Sequence, residues 1–178
     1  MTEPEWRVRV AGESDRAQLA GFACADGKLH WSVEVERVIR TKLLDWALAP
    51  GASEDDPRIL LVSTRRSNEL VGLAAHERVF LGVSGAAKFA ATKLYVVALS
   101  SAWQGRRFAS GDRASDVVMS AAMTDIAART PARDARVYAV VHEDNAKSIA
   151  LCKRHGLVHE LSRPGPHYVR LVTEHRVR

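Results

Sequence analysis

The chain has 178 residues, 47% of them hydrophobic, with a net charge of +5. That length is enough for one substantial core, so a single domain spanning 1–178 is expected, and no repeat, low-complexity tract or bilayer-length apolar run interrupts it. The basic residues are not interleaved with aromatics along one face, which disfavours a nucleic-acid partner, and Cys24 and Cys152 are isolated thiols without metal-ligand spacing that suit a reducing compartment.

In chain order, the acidic opening at 1–5 lacks the basic and apolar regions of a secretion signal, and a cytoplasmic location is the expectation. Residues 6–10 alternate as a first strand does. Ser14 or Asp15 then caps a helix carrying Leu19, Phe22 and Ala23, which breaks at Asp26 and Gly27. Val35, Ile39, Leu43 and Trp46 recur at helical spacing, predicting a second helix stopped by Pro50 and Gly51. Two strands, 58–63 and 70–76, flank the turn Arg65, Arg66, Ser67, Asn68 as a hairpin, and 81–90 reads as a small-residue connection.

Residues 94–99 are a β-branched and aromatic run of strand length. The run leads through Ser100, Ser101, Ala102 and Trp103 into Gln104, Gly105, Arg106, Arg107, Phe108, Ala109, Ser110, Gly111 and Asp112. A helix follows, with Val118, Met119, Ala122, Met123 and Ile126 on one face. A strand feeding a basic, small-residue turn at a helix start makes an anion site. Free N–H groups point outward, the helix dipole adds about half a positive charge, and small side chains let a phosphate approach the backbone. Arg106 and Arg107 reinforce that charge.

A further strand, 137–141, runs into His142, Glu143, Asp144 and Asn145. Asp144 or Asn145 caps a helix of about three turns, which Gly156 ends in the left-handed conformation; Lys153, Arg154 and His155 suit the negative end of its dipole. Strands at 157–161 and 168–172 close the chain as a hairpin across Pro164, Gly165 and Pro166. This alternation of strands and helices predicts an α/β fold with a mixed sheet.

The turn at 104–109 and the helix after Asn145 together resemble the GNAT superfamily of acyl-CoA N-acyltransferases, and the order of elements matches that family over about 7–172. The family signature is Q/R-x-x-G-x-G/A; Gln104 and Ala109 match its ends, while Arg107 stands where glycine is preferred. After the fifth strand the family places an asparagine, a small residue three positions on, and an aromatic residue before glycine. Asn145, Ser148, Cys152 and Gly156 occupy those places.

The resemblance implies a mixed, splayed seven-stranded sheet flanked by about four helices, with acetyl-CoA as co-substrate entering between the fourth and fifth strands. Val97, Ala98 and Leu99 would bind the pantetheine arm. Gln104, Gly105, Arg106, Arg107, Phe108, Ala109, Ser110 and Gly111 would surround the pyrophosphate, with Asn145 and Ser148 on the other side of the cofactor. No metal is implied. The partners implied are acetyl-CoA and an amine-bearing acceptor, with a homodimer left open.

The implied reaction is direct attack of a primary amine on the thioester. A lysine-like amine has a pKa about three units above neutral, so freeing its base form costs on the order of 4 kcal/mol and calls for a proton acceptor. The fourth strand carries no carboxylate, which leaves His76, Glu77, His142 and Glu143, at strand ends, as candidates. The departing thiolate needs a proton, commonly supplied in the family by a tyrosine where Cys152 stands. A cysteine thiol, with pKa near 8.5, has a proton to give but a shorter reach, and the plainer reading of Cys152 is a small core residue. Tyr168 is another donor candidate, whereas Tyr95 reads as sheet packing. By fold analogy Trp31, Glu34, His167 and Tyr168 would line the acceptor pocket. The alternative is a non-catalytic acyl-CoA-binding sensor or interaction module of the same fold, which the missing tyrosine and glycine favour.

Overall fold

The computed structural model describes residues 4–24, 29–47, 56–81, 89–129, 136–161 and 164–173. Its seven strands are β1 (Trp6–Val10), β2 (Arg58–Thr64), β3 (Leu70–Leu81), β4 (Phe89–Leu99), β5 (Val137–His142), β6 (Leu157–His159) and β7 (Tyr168–Thr173). They form one sheet in the order β1-β2-β3-β4-β5-β7-β6. All neighbours are antiparallel except β4 and β5. A parallel pair needs a long crossover. Helix α4 (Ala114–Arg129) supplies it.

The remaining helices are α1 (Arg16–Ala20), α2 (His30–Arg40), α3 (Lys42–Ala47) and α5 (Ala146–Arg154). Residues of α1, α2 and α3 bury one face of β2, β3 and β4 through Leu19, Ile39, Leu43, Ile59, Leu61, Leu73, Val96 and Ala98. On the opposite face, α4 and α5 close a second core with Leu60, Val71, Leu94, Met119, Ile126, Ala139, Leu151 and Leu171. Among the described residues no helix is long and apolar enough to cross a membrane.

Three predicted elements differ. The first helix ends at Ala20, with Gly21 as its C-cap, so Phe22 and Ala23 lie beyond it. The second helix divides at Thr41, whose φ of −125° and ψ of −81° leave the helical region and whose hydroxyl donates back to the Arg37 carbonyl at 2.8 Å. At the connection predicted over 81–90, β3 reaches Leu81 and β4 begins at Phe89, because Val79, Leu81 and Ala91 pack with Tyr138 and Val172 in a third small cluster; 82–88 lie outside the described residues. The stops expected at Asp26–Gly27 and Pro50–Gly51 lie outside the described residues.

One irregularity shapes everything that follows. Ala75 pairs with Val96 while His76 pairs with Leu94, so Tyr95 is an extra residue on β4. Such a bulge bends its strand and breaks the alternation of side chains. Leu94 accordingly packs under α4, with Val97 and Leu99, whereas Tyr95, Val96 and Ala98 pack on the α1–α3 side.

Candidate active site

The bulge sits where β4 and β5 part. Their pairing covers only Thr92–Val137, Lys93–Tyr138 and Leu94–Ala139. Past that point Val140, Val141 and His142 pair with β7 alone. Val96, Val97, Ala98 and Leu99 therefore face no strand on that side among the described residues. The result is a wedge-shaped gap with its apex at Leu94 and Ala139 and its mouth beyond Leu99 and His142.

The basic turn stands at the β4 side of the mouth. It is a small closed hairpin: Arg107 lies opposite Arg113, the Phe108 amide donates to the Asp112 carbonyl at 2.9 Å, and the Ala114 amide to the Arg106 carbonyl at 3.1 Å. Gly105 and Gly111 adopt φ of +73° and +90°, a region that side chains rarely allow. Arg107 folds back to donate from Nη1 to the Gly111 carbonyl at 2.6 Å, and Ser110 Oγ meets Asp112 Oδ2 at 2.8 Å. The Ala109 amide donates to a carboxylate, Glu5 Oε2, at 2.9 Å. The acid that meets this amide belongs to the chain itself.

Not every residue expected at this turn faces the gap. Phe108 is buried between Trp6 and Trp103, with ring centroids 4.8 and 4.9 Å away. The Gln104 side-chain amide donates to the Cys24 carbonyl and ties the turn to the segment after α1.

On the β5 side of the mouth, Asn145 caps α5: its Oδ1 accepts from the Ser148 amide at 3.1 Å, and Gly156 stops the helix at φ +80°. Just before it, His142 lies in a cluster of rings. Trp31 stacks on it at 4.7 Å and 21°, His30 meets it edge-on at 4.8 Å, Tyr168 at 5.4 Å, and His167 lies near-parallel at 6.1 Å. Glu143 holds His167 twice, accepting from its ring at 3.1 Å and donating its own amide to the His167 carbonyl at 2.8 Å. The sequence-predicted Trp31, His142, Glu143, His167 and Tyr168 are thus brought together by α2, β5 and β7. Glu34 is not among them; it is exposed and pairs with Arg37 at 3.5 Å. His30 was missed, and its only signal was its place next to Trp31.

The Asp144 amide donates to His142 Nδ1 at 3.3 Å. Cys152 is 5% exposed in the core under α5, where burial pushes its thiol up to about 11. That placement favours packing over proton donation.

His76, a candidate base by sequence, points the other way. It is buried beneath α4, with Nε2 3.0 Å from Asp125 Oδ2, and Asp125 also meets Arg58 at 3.5 Å. Burial pushes the His76 pKa down, and the opposing pull of Asp125 does not restore it. The unfolded chain then binds this proton more tightly than the folded one. His76 should therefore contribute its full stability above about pH 6.5, the ordinary histidine value, and lose it as pH falls through the lower folded value. Urea unfolding of the wild type and His76→Gln at about pH 7.5 and about pH 5.5 checks this: the variant should lose less stability on acidification, and an equal loss refutes it.

No known family profile and no curated protein matches the sequence. Solved structures match its fold at low identity. A bacterial toxin aligns over 96% of this chain and 91% of its own, with TM-score 0.67 and 14% identity. The PaiA N-acetyltransferase of Thermoplasma acidophilum, in complex with coenzyme A, aligns over 96% and 99%, with TM-score 0.67 and 12% identity. A GNAT-family protein of Desulfovibrio desulfuricans aligns over 95% and 98%, with TM-score 0.64 and 13% identity. With its sheet order, its parted β4 and β5, and these likenesses, the chain has the fold of the GNAT superfamily.

Proposed function

We propose that this protein is an acetyl-CoA-dependent N-acetyltransferase that moves the acetyl group to a primary amine by direct attack on the thioester. The observation that carries the reading is the gap between β4 and β5 after three paired residues, with a basic turn at its mouth. An extended arm can hydrogen-bond along an open strand edge as a further strand would. Val97, Ala98 and Leu99 offer that edge, and the Asn145 cap lies across the gap. The PaiA structure, solved with coenzyme A, supports the same use of the fold.

The diphosphate would lie against the turn, where Arg106, Arg107 and Arg113 supply positive charge. The acceptor would approach from the α2 side, past Trp31, His142, His167 and Tyr168. Calorimetry with acetyl-CoA, followed by thiol release with a panel of amines, tests the proposal. Binding together with amine-dependent release supports it, and no heat with any coenzyme A derivative ends it.

Glu5 makes a specific expectation. Its carboxylate holds the Ala109 amide and places negative charge where a diphosphate would come. Glu5→Gln should bind acetyl-CoA several-fold more tightly by calorimetry at low salt, because the anion no longer competes for the site. Unchanged or weaker binding would show that the diphosphate lies elsewhere.

The second reading is a non-catalytic acyl-CoA-binding module. It is favoured by the same engaged amide and by the core placement of Cys152. Binding without transfer to any amine would be its signature.

A further inference from the structure

The gap has a direction. If acetyl-CoA enters at the turn after Leu99 and its arm follows β4 inward, the thioester end lies toward the apex, where β4 and β5 still pair. The first β4 residue past the last pair is Tyr95, which is also the bulge residue. His142 is three residues beyond Ala139 on β5, about 10 Å toward the mouth at the usual rise per residue.

Tyr95 lies between two cations. Lys42, from α3, donates to its phenol oxygen at 2.5 Å, and the Lys93 ammonium lies 3.8 Å from its ring centroid. Across the strands, Tyr138 of β5 and Glu77 of β3 are the partners of Lys93 in the sheet. Burial raises the phenol's pKa, but the Lys42 hydrogen bond and the two lysine charges outweigh it and hold the group below its ordinary value. Two cations beside the ring favour the ionised form of the phenol, in which its oxygen can take a proton. His142 is placed less well for that work: its Nδ1 is engaged by the Asp144 amide and its face is covered by Trp31.

Resting on the transferase reading above, we propose that Tyr95, held by Lys42 and Lys93 at the apex of the gap, is the proton acceptor for the attacking amine. The nitrogen–carbon bond forms, and the proton on that nitrogen passes to the phenolate oxygen. The carbon–sulfur bond then breaks and coenzyme A departs as the thiolate. Tyr95 returns its proton to solvent, which reaches it because it is only partly buried.

Tyr95→Phe keeps the ring and its packing while removing the oxygen. The variant should keep the wild-type acetyl-CoA affinity by calorimetry, lose turnover by about 100-fold or more, and show an acid limb of the pH–rate profile moved up toward the ionisation of the amine itself. A second readout needs no activity. Ultraviolet titration of the wild type should show one phenol ionising below the ordinary tyrosine range; it should be absent in Tyr95→Phe and move upward in Lys42→Met. Wild-type turnover in Tyr95→Phe, or no such phenol in the wild type, overturns the proposal. If the unmutated protein binds acetyl-CoA yet acetylates no amine, the transferase reading itself falls and the role of Tyr95 falls with it.

Discussion

Gly72→Ala is expected to lower stability by about 3 kcal/mol, and the melting temperature on the order of 10 °C. A β-carbon at Gly72 would stand 2.5 Å from the Ala98 carbonyl oxygen, 3.0 Å from a Leu99 methyl and 3.1 Å from a Val118 methyl. The closest of these is backbone, so no side-chain rotation relieves the clash, and β3 and β4 must separate. That movement would also reach the edge that lines the gap, because Ala98 and Leu99 are part of it. The surviving folded protein should therefore bind acetyl-CoA more weakly. Gly12→Ala is the control, since nothing lies within 4 Å of the added carbon and its backbone is extended. Thermal unfolding of the two variants decides the matter: equal melting temperatures would mean that β3 and β4 have slack at this point.

Leu94→Ala should cost about 3 kcal/mol, within the range for removing a buried leucine side chain. Leu94 is 4% exposed beneath α4 and forms the last rung between β4 and β5, opposite Ala139. Its loss hollows the core where the two strands are still joined, so the apex should loosen together with the fold. Val8→Ala, on a side chain 44% exposed at the edge strand, should cost no more than about 0.5 kcal/mol. Denaturant unfolding would contradict this account if the two substitutions proved equally mild.

Much of this was legible in the sequence because it is local. The alternation at Trp6–Val10, the turn ending at Asn68, the Asn145 cap and the Gly156 stop are set by residues a few positions apart, and the structure has them where the spacing placed them. The pocket of Trp31, Glu34, His167 and Tyr168 was expected through fold resemblance; Trp31, His167 and Tyr168 do gather, around His142 rather than Glu34, since these residues meet only when α2, β5 and β7 are assembled. What escaped is long-range or parity-breaking. The contact of Glu5 with Ala109 joins residues 104 positions apart, and nothing near either of them announces it. The fold-back of Arg107 onto the Gly111 carbonyl depends on how the turn closes. The bulge was hidden for another reason. β4 is covered on both faces, so its run of apolar residues looks the same with or without one extra position.

That extra position gives β4 a reading frame. Removing one residue from an exposed loop shortens the loop; removing Val97 while the bulge stays would send Ala98 toward α4 and Leu99 toward α1–α3, whereas removing Tyr95 itself would only restore plain alternation. Past the bulge, single-residue insertions and deletions are thus opposed by the packing on both faces of the strand. Sequence drift in a chain of this kind can change every letter of β4 more readily than it can change their number.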